Sequence, residues 1–296
     1  MAEAVTPGPA IVSLRGVSKI FPNGVVALRD AAFDIGEREF VSLLGPSGCG
    51  KSTALRIIAG LTEPSTGEVT WRERAAQGAS GEIGFVFQEP TLMPWASVAS
   101  NVYLPLKLAG VDRTSSMPRI RESLTRVGLE AFENAFPREL SGGMKMRVSI
   151  ARALVTSPKL LLMDEPFAAL DEITRFRLNN DLLQLWAAMR QTAVFVTHSV
   201  FESVYLSSRI VVMTARPGRV FANIPIDAPY PRSEAFRTSP EYAGLCRKVS
   251  EALVAAMAEG AARARPFPAP RWRKNARAGK CCCAMRCRSW RSRSGS

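Results

Sequence analysis

No run of 18 apolar residues occurs in this sequence, so no stretch of it reads as a membrane-spanning helix. The first ten residues, Met1 to Ala10, hold one Glu, no Lys or Arg and two prolines, and therefore lack the basic start and apolar middle of a secretory leader. Cysteine is scarce where a fold could use it. Four of the six lie at 281, 282, 283 and 287, without metal-site spacing, and only Cys49 and Cys246 remain for the body. That is too few for a disulfide framework and suits a reducing compartment, so a cytoplasmic location is expected. The body also lacks a dominant charge. Residues 263–296 carry 11 of the 39 Lys and Arg and no acid, which leaves 28 basic against 26 acidic residues elsewhere. The formal net charge of +13 is thus mostly a property of the tail, and a neutral body argues against a dedicated phosphate-tracking surface.

What is present begins with Gly45-Pro46-Ser47-Gly48-Cys49-Gly50-Lys51-Ser52-Thr53. An apolar run before it (Phe40, Val41, Leu43, Leu44) reads as a buried strand, and the pattern after it (Ala54, Leu55, Ile57, Ile58, Ala59) reads as a helix stopping at Gly60. Strand, glycine loop and helix form the context that a phosphate-binding loop requires. The glycines let backbone N–H groups approach a triphosphate, and the helix N-terminus adds partial positive charge directed at the same anion. Lys51 would reach the β and γ phosphates and the Ser52 hydroxyl would hold Mg²⁺. The plainer alternative is a glycine-rich turn before a core helix.

With 296 residues and 47% hydrophobic content, the chain can build one large or two modest domains. Residues 11–44 alternate apolar and polar positions around Pro22-Asn23-Gly24, which predicts a small antiparallel sheet. Phe21, before that turn, either stacks on a purine or simply packs. A turn is expected over Glu63 to Glu68, and a strand over Glu82 to Phe87 ending at Gln88. The segment from Gln88 through Leu92 and Met93 to Trp95 is broken by prolines and carries exposed-looking apolar side chains. Helical patterns follow over Val98 to Leu108, Ile120 to Leu129 and from about Ser141, where Leu140-Ser141-Gly142-Gly143-Met144 offers a second group of N–H donors. Leu160 to Met163 reads as a central parallel strand ending in Asp164-Glu165, two carboxylates where open α/β sheets bind ligands. Asp164 would support the metal and Glu165 would polarise a water. Ala169-Leu170-Asp171 and a helix to about Arg190 come next, then a strand, Val194 to Thr197, with His198, the only histidine, at its end. Gln88, Asp164 and His198 thus occupy equivalent strand-end positions on one sheet edge.

In order, these residues resemble the nucleotide-binding subunit of an ABC transporter: an A-loop aromatic at Phe21, Walker A at 45–53, Q-loop Gln88, signature Leu140 to Met144, Walker B 160–165, D-loop Ala169 to Asp171 and H-loop His198. The resemblance spans roughly 11–214. It implies an α/β P-loop NTPase fold with a parallel core sheet, a small antiparallel β subdomain and a helical signature subdomain over about 97–157, within an ATPase domain at 11–230. A flexible start (1–10), a C-terminal helical region (231–262) and a disordered basic tail (263–296) complete the expected organisation.

The resemblance further implies ATP and Mg²⁺ as ligands, with Phe21, Gly45, Pro46, Ser47, Gly48, Cys49, Gly50, Lys51, Ser52, Thr53, Ser141, Gly142, Gly143, Met144 and Asp171 at the nucleotide. Ser52, Gln88 and Asp164 would lie around the metal, and Glu165, His198, Lys51 and Gln88 would serve catalysis. Ser141 to Gly143 would act across a head-to-tail dimer with a second ATP-binding subunit. Permease subunits and, through them, a periplasmic solute-binding protein are the implied partners, and the cytoplasmic face of the cell membrane the implied location. The Gln88–Trp95 segment, the Leu-Ser-Gly-Gly-Met signature and Ala215-Arg216-Pro217-Gly218-Arg219-Val220 are similar to the nitrate/sulfonate/taurine importer group. Met144 and Met146 stand where glutamine is common, and Ser199 where aspartate usually follows the histidine. Exporter ATPases share every catalytic motif, and a nucleic-acid-associated ABC ATPase is a further reading prompted by the basic tail. That tail could equally touch anionic lipid or have no selected role.

Overall fold

The computed structural model describes residues 8–72 and 82–263. Strands β1 (Ala10–Ile20) and β2 (Val26–Gly36) form an antiparallel hairpin, closed where Gly24 takes a left-handed φ of +80° and Asn23 Oδ1 accepts the Val25 N–H at 3.2 Å. β3 (Phe40–Leu44) leads into α1 (Lys51–Ile58), and β4 (Thr66–Trp71) then returns to pair with β1, giving the order β2-β1-β4. β5 (Ile83–Val86) is followed by three helices, α2 (Val98–Leu108), α3 (Arg113–Arg126) and α4 (Gly142–Leu154). The chain continues through β6 (Leu160–Asp164), α5 (Glu172–Met189), β7 (Thr192–Thr197), α6 (Val200–Leu206), β8 (Arg209–Met213), β9 (Val220–Pro225) and α7 (Pro240–Arg263). The second sheet runs β5-β6-β7-β3-β8-β9, parallel except for β9, which pairs antiparallel with β8.

Alternation along the central strands divides the core in two. Phe40 and Leu44, Leu161 and Met163, Ala193 and Phe195, Ile210 and Val212 face the helical layer, where Phe40 meets the Trp186 ring edge-on at 5.7 Å. Their neighbours Val41 and Leu43, Leu160 and Leu162, Val194 and Val196, Val211 and Met213 face α1 and the antiparallel sheet. Both faces are covered, which explains why these strands read as unbroken apolar runs.

Three expectations change in detail. The antiparallel sheet ends at Gly36, and Phe40–Leu44 belongs to the other sheet, because a five-residue strand buried throughout needs cover on both faces. The expected turn over Glu63 to Glu68 already contains the start of β4 at Thr66. Helix α3 starts at Arg113 rather than Ile120, because Asp112 caps it by accepting the Thr114 and Ser115 N–H groups at 2.7 and 3.1 Å.

Phe40→Ala removes a ring packed on Trp186 and Phe195 with no exposed surface, and is expected to lower stability by about 3–5 kcal/mol in urea unfolding followed by tryptophan fluorescence.

Candidate functional site

The parallel strands deliver their C-terminal ends to one edge of the sheet, and the loop after β3 lies there between the ends of β7 and β8. Backbone geometry explains its glycines. Gly48 and Gly50 hold φ of +73° and +99°, and a Cβ on Gly50 would stand 2.5 Å from the Ala27 carbonyl oxygen. The loop is closed by Cys49 N–H on Pro46 O at 3.2 Å, and α1 begins with Ala54 N–H on Gly50 O at 2.9 Å. Gly50 supplies no side-chain cap, so the first N–H groups of α1 are left for an outside acceptor. Burial pushes the Cys49 thiol up, which keeps it protonated beside Lys51.

Lys51 is only 4% exposed. Its ammonium donates to Gly45 O and Pro46 O at 2.9 and 3.1 Å and lies 3.5 Å from Glu165 Oε1. The other Glu165 oxygen is 3.2 Å from His198 Nδ1. Glu165 itself sits at φ +47°, unusual for a branched or long side chain, with its N–H tied to Val196 O at 3.1 Å. One residue earlier, Asp164 accepts the Ser52 hydroxyl at 2.8 Å. Burial raises the Asp164 carboxyl, the Ser52 hydrogen bond works against that rise, and the Glu165 charge adds to it. A buried carboxylate facing a hydroxyl is a hard-oxygen donor pair of the kind Mg²⁺ takes, and the donor-rich loop beside it fits a polyphosphate. The residues present therefore fit both groups.

Not every expected position joins this cluster. Gln88 stands exposed two residues past β5, with no hydrogen bond to Ser52 or Asp164. Phe21 is partly exposed, with Lys19 Nζ 5.7 Å from its ring centre. Ser141 caps α4 by accepting the Met144 N–H at 3.3 Å, while Gly142 and Gly143 pack toward Leu170 and Thr174 rather than toward the loop. Asp171 caps α5 by accepting the Thr174 N–H at 2.9 Å, a hydrogen bond that lowers its carboxyl pKa. Gly143 has no room for a Cβ, which would come 2.9 Å from Thr174 Cγ2.

Four supporting residues escaped the sequence reading. Asn101, fully buried in α2, accepts the Met93 N–H at 2.7 Å and donates to the Met93, Ala96 and Ser97 carbonyls, pinning the proline-broken segment. Arg152 from α4 donates to Pro90 O and Thr91 O, both at 2.9 Å. Glu202 accepts the Thr197 hydroxyl at 2.5 Å, just before His198, and approaches Arg175, which in turn donates to Leu170 O at 2.9 Å. The available signal for Asn101 and Glu202 was a polar residue at an inward position of an apolar helical pattern.

This fold and this edge define a P-loop ATPase of the ABC type. Residues 28–168 match the family model described as ABC transporter. The taurine import ATP-binding protein TauB of Rhizobium johnstonii is 45% identical over 77% of this chain and 89% of that protein. The aliphatic sulfonates import ATP-binding protein SsuB of Bacillus licheniformis is 42% identical over 80% of this chain and 92% of that protein. Among solved structures, a dimeric ATP-binding cassette in a post-hydrolysis state bound to ADP and Pi superposes with a TM-score of 0.64 at 34% identity, covering 73% of this chain and 99% of that one. The chain belongs to the ATP-binding proteins of the ABC transporter family.

Because burial and the Glu165 charge disfavour the Asp164 carboxylate, Asp164→Asn is expected to raise the Tm of the nucleotide-free protein at neutral pH in a calorimetric scan, while ATP turnover is lost.

Proposed function

We propose that this chain is the ATP-hydrolysing subunit of an ABC importer for taurine, another sulfonate or a related small organic solute. The observation that carries the catalytic part is the convergence of Lys51, Glu165 and His198 beside the Ser52–Asp164 pair at one sheet edge. The direction of transport and the solute class rest on the named relatives.

Each residue then acts at the atom its position allows. Loop N–H groups and the start of α1 bind the phosphates, and Lys51, already held over the loop, places a fixed positive charge at the β and γ positions. Mg²⁺, when bound, offsets charge that builds on the phosphate oxygens, and Ser52 and Asp164 would hold it, with Gln88 as the third candidate. Glu165 orients the attacking water and takes its proton. His198, whose ring approaches the second Glu165 oxygen, fixes that carboxylate's orientation and is placed to contact the γ-phosphate. Phe21 stacks on the base.

Ser141, Gly142 and Gly143 head α4 away from this loop, so they complete the site of a second copy in a head-to-tail dimer, with Asp171 beside them. Permease subunits meet the surface around the Gln88 segment. There Trp95 is 78% exposed, and Leu108, 80% exposed, lines a groove of roughly 410 Å³ together with Phe85, Phe87, Leu104 and Arg152. A solute-binding protein would act through the permease, and the subunit would sit peripherally at the cytoplasmic face.

Glu165→Gln is the deciding variant. ATP turnover is expected to fall at least about 100-fold while nucleotide binding persists and size exclusion in ATP and Mg²⁺ shows a dimer. Undiminished turnover in the variant would remove Glu165 from its role.

A further inference from the structure

The turn joining β8 to β9, Thr214 to Arg219, is braced internally: the Thr214 hydroxyl donates to Pro217 O at 3.1 Å and accepts the Arg219 N–H at 3.1 Å. It is also stitched to β2, with Gly218 N–H on Ala27 O at 3.0 Å and Arg29 N–H on Gly218 O at 2.9 Å. Gly218 lies so close to the phosphate loop that a Cβ there would fall 1.9 Å from Cys49 O. From this rigid seat Arg216 Nε donates to Gly48 O at 3.2 Å. On the turn's other side Gly260 of α7 presses against Ala215, where a Cβ would be 2.7 Å from the Ala215 Cβ.

Carbonyl bookkeeping gives this bond its meaning. A loop that turns its N–H groups inward turns carbonyls outward, where each is open to a donor. Lys51 serves Gly45 O and Pro46 O, and α1 serves Gly50 O. Gly48 O is served by Arg216. The peptide unit that accepts this guanidinium is also the one whose N–H, on Cys49, closes the loop onto Pro46 O, so the charge on one end strengthens the bond at the other.

We propose that Arg216 is a positioning residue for nucleotide binding: from the β8–β9 turn it holds the phosphate loop in its donor-inward form through Gly48 O. The inference rests on the ATP-binding reading above. It goes beyond it by making loop closure depend on a turn that lies after His198 in the chain and carries none of the residues assigned to the nucleotide. Because Arg216 is exposed and spends its bond on the loop alone, its loss changes the loop rather than the fold.

The test is equilibrium binding of a fluorescent ATP analogue with Mg²⁺, together with ATPase kinetics and nucleotide-free Tm, for wild type, Arg216→Ala, Arg216→Lys and Lys51→Ala. Arg216→Ala is expected to raise Kd and KM about three- to tenfold with kcat within about twofold and Tm unchanged, and Arg216→Lys to recover part of the affinity. If Arg216→Ala binds and turns over like wild type while Lys51→Ala loses the nucleotide, the positioning role is wrong and the ATP site stands. A fall in Tm that accounts for the lost affinity, without recovery in Arg216→Lys, would make Arg216 merely structural and overturn the proposal. If Lys51→Ala also binds normally, the ATP-site reading falls and this proposal with it.

Discussion

One carbonyl oxygen, that of Ala27, constrains the molecule's working edge. It accepts the Gly218 N–H at 3.0 Å and at the same time leaves no space for a side chain at Gly50. The phosphate loop is thereby confined between backbone on two sides, Ala27 O against Gly50 and Gly218 against Cys49 O. Lys51 follows directly: with the loop fixed, its ammonium finds two carbonyls and the Glu165 carboxylate within reach and can be almost wholly buried. A charge so buried is tolerable only when its partners are supplied in full. The two apolar faces of the central sheet hold β3, β6 and β7 in the register that supplies them.

The outer parts of the site depend on side chains outside the Lys51–Glu165–His198 cluster. Asn101 makes four hydrogen bonds to hold the segment from Met93 to Ser97, and Arg152 ties Pro90 and Thr91 to the helix that Ser141 caps. Glu202 and Arg175 together join the Thr197 end of β7 to the Leu170 carbonyl. Three loops are thus fastened to helices by four buried or half-buried polar side chains, two of them on the segment between β5 and α2.

The strands around the phosphate loop were legible because burial on both faces writes an unbroken apolar run, and the loop itself because its glycines and Lys51 occupy fixed spacings. Helices α2 and α4 were equally readable from period and cap. The start of α3 was not, since Arg113 to Met117 carries little apolar signal and the helix there depends on the Asp112 cap. Nor could the pairing of β4 with β1 be read, because four of its six residues are exposed and its partner lies some fifty positions away. The chemical residues were visible at strand ends, whereas Arg152 and Arg216 depend on contacts between distant parts of the chain that no local pattern encodes.

Glu165 keeps its side chain on a backbone that glycine or asparagine would occupy with less strain. Selection for folding alone would therefore tend to erase this glutamate. A glycine there would relax the backbone and at the same stroke remove the carboxylate that lies between Lys51 and His198, so what suits the chain and what fills the cluster pull in opposite directions at this one position.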